Sequence, residues 1–187
     1  MILGVDSGGT KTAVALANVR GELLASDRFA TDRESPECCL STVVERLRKL
    51  MTESGVSIES VAGVGISAMG PMSSTDRVIH ETKKLPGWAE FTVGKYIEDA
   101  FGCPVFMEND ANAAGLAEYF FGAQKEKDLV YLTMSTGIGA GIISNGTLIR
   151  GENDLAGEVG HMCLVPGGRS CFCGKRGCWQ AYCGGLQ

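Results

Sequence analysis

A carboxylate stands where an apolar run gives way to an Ala-rich segment near the middle of the chain. Residues 104–107 predict a buried strand and residues 111–120 are good helix formers, so Asp110 lies between a strand and a helix. Ligands of open α/β folds bind outside the carboxyl ends of strands, where a carboxylate can act as a general base. The alternative is that Asn109 or Asp110 only caps the helix, because both residue types are favoured N-caps.

Two glycine-rich turns separate pairs of predicted strands. Glycines let backbone N–H groups approach phosphate oxygens, and neighbouring Thr and Lys side chains add donors. The phosphate-binding candidates of the first turn are Asp6, Gly8, Gly9, Thr10, Lys11 and Thr12, and those of the second are Thr136, Gly137 and Gly139. Asp6 could hold Mg²⁺ through water. A plain hairpin turn is the alternative for one such turn, and the chain has neither a P-loop motif nor a Rossmann fingerprint.

A Cys-x-Cys-Gly-x-x-Gly-Cys segment near the end of the sequence has metal-ligand spacing. The predicted ligands are His161, Cys171, Cys173 and Cys178. Three thiolates and one imidazole suit a tetrahedral structural zinc site with no open position. A set of buried free thiols is the alternative.

Glu158 lies on the segment that leads to the predicted ligand His161. A metal that fixes His161 would also fix Glu158, whose carboxylate could then accept hydrogen bonds from sugar hydroxyls. The alternative is a solvated surface Glu, which is the usual environment of this residue type.

Apolar periodicity predicts an α/β fold of two related lobes. Strands are predicted at residues 2–5, 12–18, 23–29 and 61–66, and helices at residues 35–51 and 93–101. The opening pattern of strand, glycine turn and strand recurs at residues 129–134, 139–144 and 147–150. We therefore expect a first lobe over residues 1–122 and the beginning of a second lobe over residues 123–187.

The composition is that of an ordinary soluble globular protein, with 44% hydrophobic and 21% charged residues. A net charge of −5, without a long Lys/Arg cluster, argues against a nucleic-acid partner. The chain has no apolar run of transmembrane length and no signal peptide at its start, which argues against a membrane partner. We expect a cytoplasmic protein whose eight Cys are thiols and metal ligands rather than disulfides.

Five stretches together resemble the ROK family of sugar kinases and sugar-responsive repressors. They follow the family's order at residues 6–11, 108–114, 136–141, 156–161 and 171–178. The resemblance implies an actin-like ATPase fold of two ribonuclease H-like lobes, here a complete first lobe and the start of the second lobe with its zinc knuckle. It also implies phosphorylation of a hexose or N-acetylhexosamine hydroxyl with ATP and Mg²⁺, and a structural Zn²⁺.

The resemblance assigns roles to individual residues. Asp110 would take the proton from the sugar hydroxyl. The sugar-binding residues would be Asn109, Glu158, His161, Gln180 and Gly70. His161 would also bind the zinc together with the three Cys of the knuckle. The expected partner is a small-molecule sugar, and the expected assembly is a homo-oligomer, a dimer.

Three departures from the family pattern bear on activity. The family usually has Glu at the place of Gln180 and Pro-Asn at the place of Lys83-Lys84. A charge-assisted bond is the stronger one, so Gln180→Glu is expected to strengthen sugar binding. The family also continues beyond residue 187, so the 187-residue chain is expected to be a poor kinase or no kinase, with an exposed apolar surface in its second lobe.

The repressor members of the family have a helix-turn-helix segment ahead of the kinase-like part. This chain begins directly at the first glycine turn, which favours the kinase branch. The alternative function is a sugar-binding regulatory module, or an inactive truncated kinase, that transfers no phosphate.

Overall fold

The computed structural model describes residues 1–122 and 126–185. Packing divides the chain into two units, Met1–Asp110 and Ala111–Gln187. The predicted lobe boundary between residues 122 and 123 borders residues 123–125, which lie outside the described residues, so it stays a prediction. Among the described helices, none has the length and apolar character that a bilayer-spanning segment requires.

The first unit is built on a five-stranded sheet. Its residues, all of them described, form the strands β1 (Ile2–Ser7), β2 (Lys11–Ala17), β3 (Leu23–Ala30), β4 (Gly63–Ala68), β5 (Met72–Ser73), β6 (Val78–Ile79) and β7 (Val105–Asn109). The sheet has the order β3-β2-β1-β4-β7, and β5 pairs only with β6. The strands predicted over residues 2–66 are confirmed, with ends that differ by a few residues.

Two helices of the first unit, α1 (Pro36–Glu53) and α2 (Val93–Phe101), bury their apolar positions against this sheet. α1 begins where Ser35 accepts a hydrogen bond from the Cys38 N–H at 3.2 Å and Pro36 occupies the first turn. α2 ends at Gly102, whose φ of 65° is left-handed. Short 3₁₀ helices span Ile58–Ser60 and Pro86–Trp88.

The pairing of β1, β4 and β7 fixes which residues reach one edge of the sheet. These three strands run parallel, and their register places Ser7 beside Ala68 and Ala68 beside Asn109. The carboxyl ends of the three strands therefore meet at the same edge, as parallel pairing requires. The first glycine turn and the residue that follows β7, Asp110, both start from this edge.

A hydrogen-bonded set of loops supports the first glycine turn. Thr31 donates from its hydroxyl to Gly8 O at 2.7 Å and from its N–H to Thr10 O at 3.1 Å. The adjoining loop is held in turn by Trp88, which is fully buried and donates from its indole to Asp32 O at 2.9 Å. The turn is thus braced by a neighbouring loop and by a large buried side chain.

The second unit combines a small sheet with short helices. Its described elements are the strands β8 (Leu129–Met134), β9 (Ile138–Ser144) and β10 (Thr147–Leu148), the helices α3 (Asp110–Phe121) and α4 (Gln180–Cys183), and a 3₁₀ helix at Val159–His161. α3 starts on the last residue of the first unit. The three strands are antiparallel in the order β10-β9-β8, as the repeated strand pattern predicted.

Close backbone contact joins α3 to β9. A Cβ built on Gly141 would lie only 2.5 Å from Ala111 O, and a Cβ on Gly115 would lie 3.3 Å from the Gly141 Cα. Glycine at both positions lets the helix approach the strand.

One face of β8 remains open in the second unit. Val130 and Met134 are each 62% exposed, and Leu132 between them is 46% exposed. The expectation of an exposed apolar surface in this part of the chain is confirmed.

Two glycines of β4, Gly63 and Gly65, provide a test of how closely this strand packs against the residue before β7, Pro104. A Cβ on Gly63 would lie 2.8 Å from Pro104 O, whereas a Cβ on Gly65 would meet nothing within 4 Å. Gly63→Ala should lower the free energy of unfolding by about 1–3 kcal/mol, as overpacking does. The matched control, Gly65→Ala, should be neutral or stabilise by up to about 1 kcal/mol. Urea denaturation measures the free energy of unfolding of both variants. Equal losses would contradict the close contact of Gly63 with Pro104.

Candidate functional site

Asp110 occupies the position that its sequence context predicts. It follows the last residue of β7, is exposed, and forms the first turn of α3. Just before it, the N–H of Asn109 donates to Glu108 Oε1 at 3.1 Å, and Glu108 itself is buried. An exposed carboxylate in the first turn of a helix is stabilised by the helix dipole and is open to a ligand.

A row of polar side chains crosses the sheet one residue before this edge. Asp6 pairs with Ser67 across β1 and β4, and Ser67 pairs with Glu108 across β4 and β7. The Ser67 hydroxyl donates to Asp6 Oδ1 at 2.9 Å. Asp6 is exposed, so its carboxylate can still accept water or a hydrated cation, and these residues fit Mg²⁺ bound through water.

The first glycine turn combines a closed backbone with N–H groups that have no acceptor among the described residues. Gly8 N donates to Lys11 O at 3.1 Å, which closes the turn. Cβ atoms on Gly8 and Gly9 would lie 2.8 Å from Lys11 O and 3.0 Å from Met69 Cε. The backbone therefore leaves no room for a side chain at Gly8, whereas at Gly9 the flexible end of Met69 would have to move. Within the described residues, the Gly9 and Thr10 N–H groups have no acceptor. Two free N–H groups in a glycine turn fit a phosphate oxygen.

The side chains of the first turn differ in their surroundings. Thr10 and Lys11 are exposed, as a contact with a ligand requires. Thr12 is 1% exposed, and its hydroxyl lies 2.9 Å from the Thr31 hydroxyl. Thr12 therefore braces the turn from the core side. The Ser7 hydroxyl is also buried, and it has no hydrogen-bond partner among the described residues.

Gly70, a sugar-binding candidate, lies in the loop after β4 and is half-buried. This loop leaves the same edge of the sheet as the first glycine turn. Within the first unit, the structure thus gathers Asp6, the glycine turn, Gly70, Asn109 and Asp110 along one sheet edge.

The second glycine turn lies between β8 and β9. Ser135 N donates to Gly137 O at 2.9 Å, and Ser135 O accepts from Gly185 N at 2.7 Å. Thr136 is exposed, and a Cβ on Gly139 would lie 3.3 Å from the Thr133 hydroxyl. The Thr136 and Gly137 N–H groups have no acceptor within residues 1–122 and 126–185. This turn repeats the backbone feature of the first one.

The predicted metal ligands come together in the second unit. One ligand atom from each of His161, Cys171, Cys173 and Cys178 lies within 4.8 Å of all the others. Cys171 Sγ is 3.6 Å from His161 Nδ1, and Cys173 Sγ is 3.7 Å from Cys178 Sγ. A tetrahedron with Zn–S bonds of about 2.3 Å has edges of about 3.8 Å. The four side chains therefore have the spacing of a tetrahedral metal site.

The thiols of this cluster differ in acidity. Burial raises the pKa of Cys171, but hydrogen bonds from the Cys173 N–H and the Gln180 amide outweigh it, so the pKa falls to about 6. At Cys178, burial and the hydrogen bonds to Cys171 and Cys173 raise the pKa to about 11. A bound metal would therefore have to displace the Cys178 proton. Metal binding is generally coupled to thiol ionisation in this way, because the thiolate is the ligand.

Glu158 and His161 share one short segment. Glu158 is exposed, and its Oε2 lies 3.8 Å from His161 Nε2. His161 Nδ1 faces Cys171, so the two ring nitrogens point to different groups. The segment is fixed by the bond from Ala140 N to Gly157 O at 2.8 Å. The structure thus brings this sugar-binding candidate beside a predicted metal ligand.

Gln180 has surroundings that the sequence did not indicate. It is 4% exposed, and its amide contacts His161, Cys171 and the backbone N–H of Ile138. Sequence reasoning also missed Ser67, the hydrogen-bond partner of Asp6. Ser67 stands on a predicted strand, but pairing it with Asp6 requires the register of two strands about 60 residues apart, which one sequence does not give.

Comparisons with known proteins agree with the resemblance seen in the motifs. The model of the ROK family matches residues 2–186. A glucokinase from Streptomyces coelicolor is 35% identical over 186 residues, which are 99% of this chain and 56% of that protein. A xylose repressor from Bacillus spizizenii is 31% identical over 181 residues, which are 96% of this chain and 47% of the repressor.

A solved structure shares the fold. It is that of a ROK family glucokinase from Streptomyces griseus in complex with glucose and AMPPNP, with a TM-score of 0.78 and 34% sequence identity. The match covers 98% of this chain and 57% of that one, so the chain spans about half the length of these relatives. Its mixed α/β fold is that of the ROK kinases, which have the actin-like ATPase fold, and the chain belongs to the ROK family.

Proposed function

We propose that this chain provides the phosphoryl-transfer residues of an ATP-dependent kinase for a hexose or N-acetylhexosamine hydroxyl. The observation on which the proposal depends is the parallel register of β1, β4 and β7. It brings a glycine turn with free N–H groups and an exposed carboxylate, Asp110, to one edge of a sheet. Phosphoryl transfer needs this combination of phosphate positioning and a base for the hydroxyl.

The proposed roles follow from the chemistry of each group. ATP would supply the phosphoryl group, and Mg²⁺ would neutralise charge on its phosphates. The N–H groups of both glycine turns would bind phosphate oxygens, with Thr10, Lys11 and Thr136 as side-chain donors. Asp6 would hold water molecules of the hydrated Mg²⁺.

Asp110 would accept the proton of the attacking sugar hydroxyl on its carboxylate. Asn109, Glu158, His161 and Gly70 would bind the other sugar hydroxyls. The glucokinase and repressor relatives support a sugar ligand, because both are named for a sugar.

The metal proposal rests on the cluster of His161 with the three knuckle Cys. All four positions of a tetrahedral Zn²⁺ would be filled by protein atoms, so the ion would be structural. It would hold the segment that carries Glu158.

Three further expectations remain predictions from the sequence: the two ribonuclease H-like lobes, the cytoplasmic location and the dimer.

A second candidate function is sugar-dependent regulation without phosphoryl transfer. The similarity to a xylose repressor favours it, since the repressor match covers 96% of the chain and the glucokinase match 99%. The two functions differ in one respect. A kinase consumes ATP in the presence of its sugar, whereas a regulator binds the sugar and leaves ATP intact.

Substitution of Asp110 tests the proposed base. Asp110→Asn keeps the shape of the side chain but removes the proton acceptor, so kcat should fall by about 10²–10⁴ in the active protein that contains this chain. The matched control is Asp99→Asn, an exposed Asp on α2 paired with Lys95 at 2.9 Å, which should leave kcat unchanged. If Asp110→Asn kept the kcat of the unsubstituted enzyme, Asp110 would not be the base.

Metal analysis tests the structural zinc. Protein purified without added zinc should contain about one Zn²⁺ per chain. Cys178→Ser removes a buried ligand of the cluster and should abolish stoichiometric zinc. Cys183→Ser, which removes an exposed thiol outside the cluster, is the control and should retain it. The assignment would be refuted if the unsubstituted protein held no stoichiometric metal, or if both variants lost it equally.

A further inference from the structure

The side chain of Gln180 bridges two parts of the second unit. Its amide nitrogen donates to Cys171 Sγ at 3.5 Å, and its carbonyl oxygen accepts from the Ile138 N–H at 3.4 Å. Cys171 belongs to the metal-ligand cluster, and Ile138 is the first residue after the second glycine turn. One buried amide thus contacts both the cluster and the turn.

We propose that Gln180 is a positioning residue that transmits metal binding to the second glycine turn. The amide group donates to a metal-ligating sulfur with one atom and holds the turn with the other. This inference rests on the metal-ligand cluster and does not depend on the proposed phosphoryl transfer.

The amide of Gln180 also lies close to the imidazole of His161. Its nitrogen lies 3.5 Å from His161 Nδ1 and 3.4 Å from His161 Nε2. The two nearly equal distances show that the amide is not aligned with one lone pair of the ring.

Two neighbouring residues are glycines, and their lack of side chains leaves room for the Gln180 amide. A Cβ on Gly137 would lie 3.2 Å from Gln180 Oε1, and a Cβ on Gly160 would lie 3.0 Å from the same oxygen. Larger side chains at these positions would crowd the amide. The backbone just after α4 adds a second attachment to the turn, because Gly185 N donates to Ser135 O at 2.7 Å.

An amide can make both contacts, because it has a donor nitrogen and an acceptor oxygen. A Glu carboxylate could still accept from the Ile138 N–H, but it has no proton to give to sulfur when ionised. It would also place a negative charge beside the thiolate ligands. A Met side chain of similar length would lose both hydrogen bonds. Comparing Gln, Glu and Met at position 180 therefore distinguishes the bond to the sulfur from the bond with the Ile138 N–H.

Amide hydrogen exchange in the unsubstituted 187-residue chain is the first test, and it needs no variant. NMR should show the Ile138 N–H exchanging more slowly with zinc bound than after zinc is removed by a chelator. The Val14 N–H, in β2 of the first unit, is the internal reference and should not change. Equal exchange at Ile138 in the two states would overturn the proposal.

Metal affinity, measured by competition with a chromogenic chelator, is the second test. Gln180→Glu and Gln180→Met should each weaken zinc binding by about 10- to 100-fold, which is typical for loss of a group that supports a metal ligand. At saturating zinc, Gln180→Glu should keep the slow exchange of the Ile138 N–H and Gln180→Met should lose it.

The charge control is Lys175→Gln, which changes the net charge by the same amount on the exposed surface of the knuckle. It should leave zinc affinity within about two-fold of the unsubstituted chain, because exposed charges are screened. If Gln180→Glu bound zinc as tightly as this control, the amide would not support the metal site, and the sequence-based contact of residue 180 with sugar would be favoured.

Discussion

The parallel pairing of β1 with β4 and of β4 with β7 is the constraint on which the proposed chemistry of the first unit depends. Side chains alternate between the two faces of a strand, so a slip of one residue in either pairing would move Asp6, Ser67 and Glu108 to opposite faces. It would also shift the glycine turn relative to Asp110. The buried residues of β1 and β4 resist such a slip, because Leu3, Val64 and Ile66 would leave the core.

The second unit depends on a different kind of constraint. The long segment between its 3₁₀ helix and α4 has no regular helix or strand within the described residues. The buried apolar cluster that this segment forms with α4 consists of Cys171, Cys178 and Ala181, with Tyr182 packed against them. Such a small cluster contributes little hydrophobic free energy. Binding of a metal by four side chains can supply the missing stability, since the free energy of binding adds to that of folding. A structural metal would therefore account for the dense Cys spacing in a Gly-rich segment.

Much of this organisation follows from the sequence, because it depends on local patterns. Apolar runs and helical spacing located the strands and α1, the residues around Asp110 indicated a strand followed by a helix, and Cys spacing located the cluster. What the sequence could not give depends on contacts between distant residues. The core position of Thr12, the bond of Ser67 to Asp6 and the burial of Gln180 each require a register or a loop path that local patterns do not encode.

The measurement that tests the central claim most directly is sugar-dependent formation of ADP. The protein that contains this chain would be incubated with ATP, Mg²⁺ and a panel of hexoses and N-acetylhexosamines, and ADP would be followed by a coupled assay alongside calorimetric binding of each sugar. A sugar kinase should form ADP only with the sugars that it binds, and the sugar phosphate should accumulate in equal amount. Tight binding of a sugar with no ADP formed would contradict phosphoryl transfer and identify the protein as a sugar-responsive regulator.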